Sequence, residues 1–295
     1  MSGIRIANSG GSGRRENLAD IVAEMDALVG LENVKRELNR FISLSRLAVL
    51  RRERELPSVR TNLHMVFSGP PGTGKTVVAR KVGRMLKAIR LLKGGDCIEV
   101  DRSQLVAPYV GQTATKTREV IERSLDNVLF IDEAYTLTNQ GSDRDPFGQE
   151  AIDTLLRLME NYRDRLVIIV AGYDGEMVKF INSNPGLASR FSRFVKFNAY
   201  SPKDLTQIFE NMVADSKMSI DDAGRRAAAR AVKEISDGHA NDDTFGNARV
   251  IRGFFETIVT AQAERLSQQE DLEALADADL QTITDQDIAA AVEAI

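Results

Sequence analysis

The chain has 295 residues, 43% of them hydrophobic and 28% charged, and a net charge of −4. That length allows two packed units with a soluble, globular balance, and the mild acidity lacks the broad positive field of a nucleic-acid binder. The single cysteine, Cys97, excludes an internal disulfide, and with only two distant histidines, His64 and His239, it argues against a cysteine- or histidine-based metal centre.

Residues 8–13 (NSGGSG) form a Gly/Ser segment followed by Arg14 and Arg15, so 1–16 is expected to be a flexible tail without the apolar core of a leader peptide. LADIVAEMDAL, from about Asn17, has helical spacing. A second helical pattern follows Gly30 and stops before Pro57; its basic run over 46–54 reads as a solvated helix face. Apolar runs at 64–68, 97–101, 128–132, 166–172 and 194–198 then read as strands. Helical patterns in GKTVVARKVGRML, TKTREVIERSL and QEAIDTLLRLMENY separate them. Continuous apolar strands alternating with helices predict an α/β fold, a parallel sheet sandwiched by helices. The longest apolar run, 166–172, is far too short to span a membrane, so a cytoplasmic protein is expected. After Tyr200 the strand signals stop. PKDLTQIFENMVA, DAGRRAAARAVKEIS, NARVIRGFFETIVTAQAERL and TDQDIAAAVEA read as helices, with Thr284 capping the last. The expected division is therefore an α/β domain over 17–200 and an all-helical domain over 201–295.

Residues 69–76 read Gly69-Pro70-Pro71-Gly72-Thr73-Gly74-Lys75-Thr76, the full G-x-x-x-x-G-K-[ST] pattern between a strand and a helix. The glycines let the backbone curl so that successive N–H groups face a phosphate, and the helix N-terminus adds its positive end. Lys75 reaches the β- and γ-phosphates, and the Thr76 hydroxyl suits Mg²⁺. Residues 128–133 read VLFIDE, an apolar strand delivering two carboxylates to its C-terminal end, where ligands bind in such sheets. Asp132 suits the Mg²⁺ shell and Glu133 the orientation and deprotonation of an attacking water.

With these motifs in place, the chain resembles the AAA+ ATPases, and within them the CbbX/CfxQ and stage V sporulation protein K group, which includes red-type Rubisco activase and ATPase domains of some type VII secretion proteins. LVGLENVK, HMVFSGPPGTGKT, VGQTATKTREVIERS, VLFIDEAYTL, QEAIDTLLRLMEN, VIIVAGY, SNPGLASRF and GNARVIR carry the resemblance, from about Asp26 to about Thr260. It implies a P-loop core with a helical lid, ATP and Mg²⁺ as cofactors, and a homo-oligomeric ring, six subunits being the family expectation. It places Val29 and Gly30 at the adenine and adds Pro71, Gly72, Thr73, Gly74 and Val77 to the nucleotide contacts. Arg190 and Arg193 fall where the family has arginine fingers reaching a neighbour's nucleotide; Arg190 is favoured, and one of the two has the alternative reading of an interface ion pair. Arg249 matches the second sensor in the lid. The first sensor is a departure: in place of Asn or Thr the strand ends at Tyr173, which either offers its hydroxyl or packs against Phe180.

Tyr109, Val110 and Gly111 fall where the family's pore loop lies, an aromatic on a glycine hinge suited to gripping an extended polypeptide. The alternative is a tyrosine tucked against its own subunit. The polar loop 139–147 faces either the channel or solvent. The implied function is a chaperone-like remodelling motor acting on a client protein through a pore. Rubisco activation of the CbbX type, and a non-threading assembly or scaffold ATPase of a secretion or defence system, are the competing readings. A nucleic-acid motor is the weakest.

Overall fold

The structure is a computed structural model. It describes residues 16–57, 62–109, 111–138, 145–239, 242, 244–269, 271 and 273–294, and the backbone of 5–6. The chain divides into two compact units, one comprising residues 1–69 and 74–197, the other 70–73 and 198–295.

The first unit runs β1 (Arg5–Ile6), α1 (Leu18–Asp26), α2 (Glu32–Glu53), β2 (Met65–Ser68), α3 (Lys75–Ala88), β3 (Cys97–Val100), α4 (Arg102–Leu105), α5 (Thr113–Arg123), β4 (Val128–Ile131), a 3-10 turn (Ala134–Leu137), α6 (Pro146–Asn161), β5 (Val167–Gly172), α7 (Asp174–Asn182), α8 (Pro185–Arg190) and β6 (Arg193–Lys196). The sheet order is β1-β3-β4-β5-β2-β6. Every pairing is parallel except β1 with β3. Every residue of β2, β4 and β5 is buried, as a sheet covered on both faces requires. Local chemistry sets the helix starts. The Asn17 side chain accepts from Ala19 N at 3.3 Å to open α1. Asp145 accepts from Phe147 N at 3.1 Å, with Pro146 as the first residue of α6. The α6 residues Ala151, Ile152, Leu155, Leu158 and Met159 recur at helical spacing and are buried in the same apolar cluster as Ile131, Ile168 and Val170 of the sheet.

Two expectations need correction here. The tail predicted over 1–16 contains a strand: Arg5 and Ile6 pair antiparallel with Glu99 and Ile98. Without it β3 would be a sheet edge with unpaired N–H and C=O groups, and two residues of extended chain satisfy them. The tail's other residues before Glu16 lie outside the described set. The loop predicted over 139–147 ends at Asp145, because Asp145 and Pro146 form the cap and first residue of a helix; residues 139–144 lie outside the described set.

The second unit contains α9 (Pro202–Asp215), β7 (Ser219–Ile220), α10 (Asp222–Asp237), α11 (Ala248–Ser267), α12 (Asp277–Gln281), β8 (Thr282–Ile283) and α13 (Asp285–Glu293). Leu205, Phe209, Val232, Phe254, Ile258 and Ile288 form its core. Ser201 and Asp204 make a reciprocal capping box ahead of α9. At α13 the Thr284 cap donates its N–H to Asp287 Oδ2 at 2.9 Å. Asp287, itself buried, also receives Arg265 Nε at 2.6 Å on Oδ1 and Nη2 at 3.0 Å on Oδ2. The unit is helical but not purely so, since β7 and β8 pair in parallel. Both strands lead into helix caps, Asp221 and Thr284, whose backbones are extended. Two residues are too few for an alternating pattern to register in the sequence. No helix among the described residues is long and apolar enough to cross a membrane.

Candidate active site

The register brings three strand ends to one edge of the sheet. Ser68 of β2 pairs with Gly172 of β5, and Ile131 of β4 pairs with Val170. The phosphate loop, Asp132 and Tyr173 follow these residues directly, the loop and Asp132 being about two strand spacings, roughly 10 Å, apart. Gly69 N donates to Gly172 O at 3.1 Å, and Asp132 N to Val100 O at 2.9 Å.

Gly69 turns the chain out of β2 at φ 142°, and a Cβ there would lie 2.0 Å from Phe197 O. Lys75 Nζ donates to the Gly69 carbonyl at 2.8 Å, and Thr73 Oγ1 to Pro70 O at 2.8 Å. Gly74 precedes α3 in the left-handed region and contributes no side-chain cap, which leaves first-turn N–H groups to serve an anion. Thr76 is half-buried and Val77 exposed in that turn. Val29 and Gly30 sit half-buried in the turn between α1 and α2, where Gly30 has φ 61°.

Within the second unit, two side chains grip the carbonyl side of the phosphate loop. Asn247 Nδ2 donates to Pro71 O at 3.2 Å and to Phe245 O at 2.9 Å, while its Oδ1 accepts from Tyr200 N at 2.9 Å. The Tyr200 hydroxyl donates to Thr73 O at 3.2 Å. A Cβ on Gly72 would lie 1.9 Å from Gly246 O, so only glycine allows this approach. Arg249 is exposed, on the second residue of α11.

At the acidic end Asp132 and Glu133 are both exposed, and Asp132 Oδ1 accepts from Glu133 N at 3.1 Å. Glu133 has a left-handed backbone, φ 47° and ψ 43°. Tyr135, absent from the sequence-based candidates, packs its ring 6.1 Å from that of Tyr173. Its phenol is pushed up to about 12 by burial, then by the Glu133 charge. Tyr173 is half-buried, with its ring 6.1 Å from that of Tyr135.

The two candidate fingers lie elsewhere. Arg193 begins β6 opposite Met65, the first residue of β2, and stacks 5.0 Å over the Phe41 ring. Arg190 ends α8, within 3.6 Å of Glu160. Each keeps a buried Nε without a hydrogen-bond partner. Beside them His64 is buried and its Nδ1 accepts from Ile168 N at 3.0 Å. Burial, then the Arg190 charge, hold its imidazole down to about 4. Tyr109 is 68% exposed, and Gly111 follows with φ 78° and open space around it. Val110 lies outside the described residues.

A nucleotide-binding loop, an acidic strand end and a helical second unit define a P-loop ATPase with a lid. Residues 65–199 match the ATPase family associated with various cellular activities (AAA), and 201–294 match the AAA lid domain. The chain belongs to this AAA ATPase family, whose members bind and hydrolyse ATP and generally form oligomers. It is 38% identical over 277 residues to stage V sporulation protein K of Bacillus subtilis, covering 94% of this chain and 84% of that one. It is 38% identical over 289 residues to the ESX-1 secretion system protein EccA1 of Mycobacterium tuberculosis, covering 96% of this chain and 50% of that one. The chain thus spans about half the length of EccA1. The crystal structure of the FIGL-1 AAA domain in complex with ADP has the same fold, with a TM-score of 0.63 over 99% of this chain and 86% of that one, at 21% identity.

Proposed function

We propose that the chain, with residues 17–200 as nucleotide-binding domain and 201–295 as lid, is a cytoplasmic, ring-forming remodelling ATPase that draws a client polypeptide through a central pore. The observation that carries the reading is the separation along the sheet. The phosphate loop, Asp132 and Glu133 share one edge, and Arg193 starts a strand at the other, opposite Met65. An arginine so placed serves a nucleotide best when that nucleotide belongs to a neighbouring subunit, which links hydrolysis to assembly.

In this reading the loop N–H groups from Gly72 to Thr76 and the Lys75 ammonium hold the phosphates, while Val29, Gly30 and Val77 line the rest of the nucleotide. Glu133 accepts a proton from the attacking water and orients it. Arg190 or Arg193 from the neighbour offsets charge on the phosphoryl group being transferred, an effect of about 10³–10⁵ in rate. Arg249 and Tyr173 report the state of the terminal phosphate to the lid and the sheet. The residues also fit Mg²⁺: a hydroxyl at Thr76 and an exposed carboxylate at Asp132 are hard oxygen donors. Magnesium, when bound there, supplies charge neutralisation at the terminal phosphates. Tyr109, exposed on a glycine-flanked loop, supports a client-gripping role for 109–111.

Steady-state ATPase, nucleotide binding and sedimentation on Lys75→Ala and Glu133→Gln test the reading. Lys75→Ala should lose nucleotide binding. Glu133→Gln should bind ATP, assemble, and hydrolyse about 10²–10⁴-fold more slowly. Full hydrolysis by both variants would end it. The similarity to EccA1, an ESX-1 secretion system protein, favours a second reading, an assembly ATPase that signals by ring state without threading. Full function of Tyr109→Ala would select that one.

A further inference from the structure

The phosphate loop here starts with a handicap. Pro70 and Pro71 carry no N–H, so the donors to an anion must come from Gly72 onward. Gly72 and Gly74 have φ of 69° and 91°, and glycine backbones let a neighbouring peptide plane flip at little cost. A flip of the 71–72 or 73–74 plane would turn a carbonyl oxygen toward the phosphate and an N–H away from it. In a planar trans peptide, the carbonyl of one residue and the N–H of the next point in opposite directions. Holding the Pro71 carbonyl therefore sets the Gly72 N–H, and holding the Thr73 carbonyl sets the Gly74 N–H.

Both carbonyls belong to the second unit and are held within it. Asn247 donates to Pro71 O and the Tyr200 hydroxyl to Thr73 O, each at 3.2 Å. The two clamps are joined, since Asn247 Oδ1 accepts from Tyr200 N. Asn247 is wholly buried and its backbone has φ 45° and ψ −122°, a conformation suited to glycine. An asparagine there meets a strained backbone, and its amide uses both kinds of atom: one oxygen accepting, one nitrogen donating twice. A purely structural turn at this point would be better served by glycine.

We propose that Asn247 and Tyr200 are positioning residues for nucleotide binding. They fix the peptide planes of the phosphate loop with its N–H groups facing the phosphates, Asn247 from the N-cap of the helix that carries Arg249 and Tyr200 from the segment ahead of α9. The proposal rests on the phosphate-loop reading above.

The test is binding of a fluorescent ADP analogue to the full chain, with the melting temperature of the nucleotide-free protein recorded alongside. Tyr200→Phe deletes one hydroxyl and keeps the ring. It should weaken the nucleotide about 3–10-fold, the scale of one hydrogen bond, and raise KM for ATP with kcat largely kept, while the nucleotide-free melting temperature stays put. Asn247→Gly suits the backbone and deletes the clamp; it should weaken binding by at least as much. If that variant fails to fold, Tyr200→Phe alone decides. Unchanged affinity in Tyr200→Phe, with binding lost in Lys75→Ala, would overturn the clamp and leave the loop reading standing. Full binding by Lys75→Ala would overturn both.

Discussion

Arg193 and Met65 are register partners at the start of adjacent parallel strands, with the Arg193 guanidinium over the ring of Phe41. From Met65 to Gly69, where the phosphate loop begins, is four strand rises, roughly 13 Å. The sheet thus holds the arginine away from the phosphates that its own chain binds.

Subunits lacking a finger should therefore be rescued by subunits lacking a different part. Arg190→Ala combined with Arg193→Ala should bind ATP normally and hydrolyse it about 10³-fold or more slowly. Mixed with Lys75→Ala subunits, which keep their arginines, the assembly should regain ATPase activity above either protein alone. A mixture as inactive as its components would place the arginines outside catalysis in trans.

Tyr109 buries little, so Tyr109→Ala should leave global stability within about 0.5 kcal/mol of the parent. Its ATPase activity should persist while unfolding of a tagged reporter polypeptide stops. Retained reporter unfolding would remove Tyr109 from the gripping role.

His64 gives the fold a pH signature. Its ring is kept neutral, with the imidazole held down to about 4 by burial and then by Arg190. An unfolded chain takes up that proton below about 6.5, where the folded one does not. The unfolded state then binds more protons, so this contribution to stability is whole above about 6.5 and is lost as pH falls toward 4. The slope for one such group is about 1.4 kcal/mol per pH unit. His64→Gln should flatten the melting-temperature profile in that window; parallel profiles for parent and variant would refute the assignment.

Asp287 is buried, receives two Arg265 donors and caps α13 through Thr284. Asp287→Ala strands the guanidinium and uncaps the helix, and should cost the second unit about 3–5 kcal/mol. Denaturant unfolding checks this, with Lys233→Ala as a surface control expected to cost under about 0.5 kcal/mol. A similar loss in both would mean that burial of the pair is irrelevant.

The strands β2, β4 and β5 were legible because each is a short, nearly unbroken apolar run closed by glycine, acid or polar residues, and the phosphate loop because eight consecutive positions obey one pattern. Asn247 lies inside GNAR, where the arginine carries the resemblance; nothing in four letters tells that the asparagine side chain turns back 176 residues to Pro71. Tyr135 lies inside VLFIDEAYTL, two residues past the acidic pair, and only β4 lying beside β5 brings it to Tyr173. The β1 and β7–β8 pairings escaped because two residues carry no periodicity, and their partners are fixed by tertiary placement alone.

Glu133 adopts a left-handed backbone that the Cβ of an L residue resists and glycine accepts freely. The proposed water-activating carboxylate is thus bought with conformational energy of about 1 kcal/mol. Glu133→Gly should melt higher than the parent and turn over no ATP, so a screen for thermostability alone would drive this position toward a silent enzyme.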